Sequence, residues 1–341
     1  MSGEPLNHRG ITLSLDSKVA ALKHPTTYPD PPTQVDVIET HMSWVFLTTE
    51  YAYKLKKPVR YDFLDFSTLA ARRRNCEEEV RLNQRLAQDV YLGVVPLATD
   101  TTGELVLEGT GEAVEWLVKM RRLPAERMLE HMITRGTVRA EDLRPVATML
   151  STFYKQSAPV NLDGKRYRSQ LERDLEYSLR ELGRPVYQLP ARLITIIRDA
   201  ARELLRGAPA LFETRAEEGR IIEGHGDLRP GHICLGAKPV IFDCLEFNRQ
   251  FRIIDPADEL AFLAMECERL GAAFVGETFF RVYRQITGDD PPPRLIDFHK
   301  TSRACLRARL AIWHTHELEK GDWPKWQKLA DSYLRLAATY Q

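Results

Sequence analysis

The stretch of sequence richest in chemistry is GHGDLRPGHICLGAKPVIFD, residues 224–243. It sets His225, Gly226 and Asp227 just after a predicted strand, follows them with a predicted short β-hairpin, and ends that hairpin's second arm on Asp243. Two aspartates at the ends of neighbouring short strands can face one cleft from a rigid base. Such a pair suits phosphoryl transfer, whose loose transition state leaves the protein to position the reactants and neutralise charge. One carboxylate then faces the attacking hydroxyl, and the other holds a divalent metal on the phosphates.

These residues need a frame, and the rest of the chain supplies one. Residues 1–34 read as a short helix and a connector in which Pro29, Pro31 and Pro32 break regular structure. VDVIET, WVFLTT and YAYKLKK follow as three strands of a small antiparallel sheet. Along YAYKLKK, Lys54 and Lys56 share a face because side chains alternate. A long charged helix comes next, with Ser67 as its predicted N-cap and Asp62 and Asp65 as turn and cap residues before it. Within CEEEVRLNQRL, Glu79 falls on the face of Leu82 and Leu86. VVPLATD, GELVLEG and AVEWLVKM are three further strands. After Met120 the pattern is mostly helical. The spacing therefore predicts an α+β architecture: an N-terminal segment (1–34), a small β-rich N-lobe (35–118) and a larger helical C-lobe (119–341), with a joint near Trp116–Arg122.

HGDLRPGHI resembles the catalytic loop of the aminoglycoside phosphotransferase family, within the protein-kinase-like superfamily, whose pattern is H-x-D-x-x-x-x-N. Together with ETHMSWVFLTTEYAYKLKKPVRYDFLDFST, it is similar to a bacterial subgroup of uncharacterised aminoglycoside-phosphotransferase-like proteins, over about residues 28–270. The resemblance implies a two-lobed protein-kinase-like fold that binds ATP and Mg. It makes Asp227 the catalytic base or hydroxyl-orienting group, with His225 bracing the loop, and Asp243 the metal-binding carboxylate. The family's Asn, five residues after the Asp, is His232 here. Either His232 stands in an altered second metal site or it hydrogen-bonds Asp227. Ala52-Tyr53-Lys54 looks like the strand end that carries the phosphate-binding lysine, with Lys56 as the alternative and Glu79 as the partner carboxylate. Backbone groups around Trp116 and Val118 would meet adenine, and Asp258 would buttress the catalytic loop. Only HMS lies between the first two strands, so His41 and Ser43 would replace the Gly-rich phosphate cover. No G-x-x-x-x-G-K-[ST] segment is present, so the P-loop domain that follows in some members of the subgroup is expected to be absent. The implied function is ATP-dependent phosphate transfer to a hydroxyl of an unidentified small molecule. The alternatives are a weakly active or inactive kinase-like nucleotide-binding protein and a kinase-like enzyme that modifies a protein.

Composition narrows the partners. Among 341 residues, 48 basic side chains balance 48 acidic ones, which argues against a general nucleic-acid binder. The five cysteines are scattered and form no CxxC pair, so neither a disulfide framework nor a zinc knuckle is expected. No apolar run approaches the ~20 residues needed to cross a bilayer, and the N-terminus lacks the apolar stretch of a secretory signal. The expected partners are a nucleotide and a small-molecule substrate, with no membrane, in the cytoplasm.

Overall fold

The computed structural model describes residues 13–341 apart from Asp62 and Leu318, and apart from the side chains of Glu317 and Lys320. Asp62, expected in a turn, therefore lies outside the described residues. The chain divides into two compact units, one running to Arg127 and including Val240–Gln250, the other comprising Met128–Pro239 and Phe251–Gln341.

The first unit opens with helix α1 (Leu15–Leu22) and strands β1 (Asp36–Glu39), β2 (Ser43–Leu47) and β3 (Tyr51–Lys56). A small hairpin, β4 (Arg60–Tyr61) and β5 (Leu64–Asp65), leads into helix α2 (Leu69–Ala87), and β6 (Tyr91–Thr99), β7 (Leu105–Leu107) and β8 (Ala113–Arg121) follow. Six strands form one antiparallel sheet in the order β1-β2-β3-β8-β6-β7. Alternation along the strands gives the sheet two apolar faces. On one, Phe46, Tyr53, Leu55 and Leu117 pack with Val19 and Leu22 of α1 and with Tyr28. On the other, Ala52, Tyr91, Val118 and Met120 pack with Cys76 and Ala87 of α2. Helix α2 begins one residue later than expected. Thr68 is the N-cap, accepting from the Ala71 amide at 3.1 Å, while Ser67 donates its amide and hydroxyl to Asp65. Arg72 fixes α2 against the sheet through two bonds to the buried Glu115 of β8, at 2.8 and 2.7 Å. Strand β11 (Val240–Ile241) belongs to this unit too, and Val240 and Phe242 join the cluster on the α2 face.

The second unit is helical: α3 (Leu129–Thr134), α4 (Ala140–Gln156), α5 (Gly164–Leu182), α6 (Ala191–Gly207), α7 (Ala210–Glu217), α8 (Pro256–Arg269), α9 (Ala273–Thr287), α10 (Pro293–Trp313) and α11 (Trp323–Ala338). Its short strands are β9 (Ile222–Glu223), β10 (Ile233–Cys234) and β12 (Ile253–Ile254), with β9 and β12 antiparallel. Helix α8 is buried from Pro256 to Cys267, its apolar residues lying on all sides and its carboxylates Asp258, Glu259 and Glu266 each bonded to a partner. Residues of α5, α6, α10 and α11, with Ala257, Phe262 and Met265 of α8, build an apolar cluster in this unit. Among the described residues no helix is long and apolar enough to cross a membrane.

Candidate active site

In the first unit the residues singled out from the sequence form a chain of alternating charge. Strand alternation puts Lys54 and Lys56 on the α2 side of β3, where Glu79 meets both. Lys54 Nζ donates to Glu79 Oε1 at 2.9 Å and to Asp243 Oδ1 at 2.7 Å. Lys56 Nζ donates to Glu79 Oε2 at 2.6 Å and to Glu246. Glu79 is wholly buried and Lys56 nearly so, while Asp243 keeps 40% of its side chain exposed. Burial opposes the charge on Lys54, yet Asp243 foremost and Glu79 next hold its ammonium well above the ordinary lysine range. Burial likewise opposes ionisation of Glu79, and Lys54 and then Lys56 overcome it, holding the carboxyl below the usual range. For Glu246 burial prevails and pushes its carboxyl up, with Lys56 pulling the other way.

Asp243 sits in a left-handed conformation at φ 62°. Aspartate tolerates this region better than most residues, and neighbouring side chains hold the backbone there. The Asp243 amide donates to the Tyr91 hydroxyl at 3.2 Å, and the Cys244 amide donates to Asn83 Oδ1 of α2 at 2.9 Å. Among the described residues no three His, Cys, Asp or Glu side chains are grouped to hold a metal ion. A magnesium ion does not need such a group, since one or two carboxylates with phosphate and water oxygens complete its octahedron. The half-exposed Asp243 carboxylate fits that use.

Trp116 and Val118 are strand residues. Both lie inside β8, which pairs with β3 on one side and β6 on the other: Val118 faces Lys54 and Val94, and Leu117 faces Leu55 and Val95. Ladder bonds engage the backbone of Val118, while the Trp116 amide donates to Glu115 Oε1 at 3.2 Å and its carbonyl accepts from the Cys76 thiol at 3.7 Å. The chain leaves the sheet only after Arg121. Between β1 and β2, the Thr40 amide donates to the Ser43 carbonyl at 2.8 Å, and the His41 ring stacks on Tyr61.

In the second unit the loop after β9 carries His225, Gly226 and Asp227. Gly226 adopts φ +87°, which glycine takes without steric cost. A β-carbon on Gly224 would fall 2.9 Å from Glu259 Oε2 and 2.7 Å from Ile254 Cγ2. This close approach lets Glu259 of α8 cradle the loop. Its Oε1 accepts from the His225 and Gly226 amides at 2.8 and 2.5 Å, and its Oε2 accepts from the Tyr154 hydroxyl at 2.7 Å. The buttress expected of Asp258 thus falls to the next residue. Asp258 is instead bonded to Arg303 of α10 through both oxygens, each at 2.7 Å.

The buried His225 accepts from the Asp227 amide at Nδ1, 3.3 Å away. Arg229 binds the Asp227 carboxylate at two points, Nε to Oδ1 at 3.0 Å and Nη2 to Oδ2 at 2.9 Å. Burial opposes ionisation of Asp227, but Arg229 holds its carboxyl below the usual range. His232 has both ring nitrogens engaged. Nδ1 lies 2.8 Å from the Asp227 carbonyl and must donate, whereas Nε2 lies 2.8 Å from Arg229 Nη2 and must accept. The His232 ring is thus engaged within its own loop, the hydrogen-bonded one of the two arrangements expected for it.

Sequence reasoning missed Glu246, Glu259 and Arg229. Neither Glu246 nor Glu259 is marked by its local sequence, and Arg229 is a loop residue with no pattern of its own.

No family model matches the chain. Uncharacterized proteins of Mycobacterium tuberculosis and Mycobacterium bovis are 35% identical to it over 290 residues, covering 84% of this chain and 56% of theirs, so the chain spans about half the length of these curated relatives. Similar solved structures include a choline/ethanolamine kinase family protein of Mesorhizobium loti, with TM-score 0.54 and 14% identity over 95% of this chain and 98% of the other. The GDP complex of aminoglycoside 2'-phosphotransferase-IIIa gives TM-score 0.53 and 14% identity over 89% of this chain and 93% of that one. Choline kinase from Cryptosporidium parvum gives TM-score 0.53 and 12% identity over 89% and 88%. The chain therefore has the protein-kinase-like fold shared by the aminoglycoside phosphotransferases and the choline and ethanolamine kinases.

Proposed function

We propose that the protein is a nucleotide-dependent phosphotransferase acting on a hydroxyl of a small molecule. The observation that carries the reading is Lys54, which comes from a central strand and is bonded at once to the helix carboxylate Glu79 and to Asp243. Phosphoryl transfer asks for a lysine on the phosphates, kept in place by a helix carboxylate, beside an acidic metal ligand. Lys54 and Glu79 would place the phosphates of ATP, and Asp243 would hold magnesium, which supplies charge neutralisation when bound. Asp227, kept ionised by Arg229, would orient the acceptor hydroxyl and receive its proton. His225 and His232 would set the loop. Backbone groups following Arg121 would meet the base. The GDP bound by the aminoglycoside 2'-phosphotransferase-IIIa neighbour favours a nucleotide as the donor.

A second reading, nucleotide binding without turnover, is favoured by the two-point contact that Arg229 makes with the Asp227 carboxylate. Incubation with γ-labelled ATP or GTP, magnesium and a library of alcohols separates the two. Label transfer that disappears in Asp227→Asn supports the phosphotransferase. Thermal stabilisation by nucleotide without transfer or hydrolysis supports the second reading, and no stabilisation by either nucleotide refutes both.

A further inference from the structure

The two lysines of β3 meet the same carboxylate under different conditions. Glu79 is fully buried and gives one oxygen to each, Oε1 to Lys54 and Oε2 to Lys56. Lys56 has 1% of its side chain exposed, and its second partner, Glu246, has 8%. At the other end, Lys54 keeps 16% exposed and Asp243 40%. The charges run Asp243, Lys54, Glu79, Lys56, Glu246, and only the first two are open enough for an anion or a cation from solution to reach.

Resting on the phosphotransferase reading, we propose that the lysines divide the work: Lys56 and Glu246 are positioning residues forming a fixed buried frame for Glu79, and Lys54 is the lysine that changes partner when a phosphate arrives. A phosphate that draws Lys54 toward itself weakens that lysine's hold on Glu79. Were Lys54 the sole cation of Glu79, its departure would strand a buried carboxylate, an unfavourable state that would tether Lys54 in place. Lys56 removes this penalty because it stays bonded to Oε2 throughout. Glu246 in turn keeps Lys56 from turning away. Glu246 lies three residues beyond Asp243, so its bond to Lys56 also ties the backbone that carries Asp243 to β3.

The test is binding of magnesium with a non-hydrolysable ATP analogue, measured by calorimetry on the full chain. Lys54→Met should weaken binding at least about tenfold. The double variant Lys56→Met/Glu246→Gln keeps Lys54 yet should also bind about tenfold more weakly, because Lys54 is now held by Glu79 for most of the time. Adding Glu79→Gln to that double variant should restore the affinity to within about threefold, since no charged carboxylate then holds the lysine back. A general loss of structure would not be rescued in this way. Full affinity in the double variant, or no rescue by Glu79→Gln, overturns the proposal while leaving the phosphotransferase reading standing. Absence of nucleotide binding by the unaltered protein overturns both. A ligand-free measurement gives an independent check. Lys54→Met should lower the melting temperature less than Lys56→Met, because the buried frame survives the first change and not the second; the reverse order refutes the division of work.

Discussion

Glu259 is expected to control the loop of His225 and Asp227 more strongly than any other side chain in its unit. It is 1% exposed and receives two loop amides and one phenol hydroxyl. In Glu259→Ala both amides lose their acceptor in a place water does not reach. Stranding a buried donor costs about 1–3 kcal/mol, so the opening equilibrium at each amide should rise about 5- to 150-fold. In Glu259→Gln the side-chain carbonyl still accepts both amides, and the new NH2 can donate to the Tyr154 hydroxyl. What is lost is the charge assistance, about 1 kcal/mol per bond, or roughly fivefold in opening. Hydrogen–deuterium exchange of the peptide spanning 221–228, read by mass spectrometry, reports this locally and does not depend on global two-state unfolding. The ordered result, fastest exchange in Ala, intermediate in Gln and slowest in the unaltered protein, supports the cradle. Unchanged protection in both variants would show that the loop holds its shape without Glu259.

Three further outcomes are expected. Arg215→Met strands two buried carboxylates, Asp255 and Asp289, which the guanidinium bonds at 2.6–2.8 Å, and should cost about 3–5 kcal/mol at neutral pH in denaturant titration. Arg215 holds the Asp289 carboxyl low against burial, so its stabilisation is present above the ordinary carboxyl range near pH 4 and fades as pH falls through the lowered value. The penalty of the variant should therefore shrink in acid. Arg229→Met removes the main charge holding Asp227 low, so the acid limb of any Asp227-dependent turnover should move to higher pH; an unmoved limb would show that Arg229 does not set this ionisation. Gly276→Ala would place a β-carbon 2.4 Å from Ala264 Cβ where α9 crosses α8, and should destabilise by about 1–3 kcal/mol, with recovery in the added Ala264→Gly.

Much of the frame was legible because it follows from period. The alternation in YAYKLKK put Lys54 and Lys56 on one face, and helical spacing put Glu79 on the buried side of α2; both depend only on the local chain. What was illegible depends on which neighbour arrives. Asp258 and Glu259 are adjacent on α8 and point about 100° apart. Only the seating of α8 sends Glu259 to the loop and Asp258 to Arg303. Glu246 lies in a segment with no periodicity, and its value comes from Lys56, a residue far away in sequence. The surroundings of Trp116 and Val118 were illegible for a related reason. A strand's end can be read from composition, but its engagement on both edges depends on the order in which strands pair, here β3-β8-β6.

Both proposed acidic groups already hold a cation: Asp243 has Lys54, and Asp227 has Arg229. On the proposed reading these cations do more than steady the carboxylates. A triphosphate is also an anion, and it can take over Lys54 at little electrostatic cost, exchanging one negative partner for another. Asp243, relieved of its ammonium, would then be one of the oxygen donors that could hold magnesium. The same logic makes Asp227 a poor proton sink until its guanidinium partner shifts, since a carboxyl held low is a weak base. Ionisation at rest and basicity during transfer therefore pull in opposite directions at Asp227. The Arg229→Met profile separates them: a shifted limb with faster transfer above it would mean that Arg229 restrains the base, and a shifted limb with slower transfer would mean that orientation of the carboxylate matters more than its basicity.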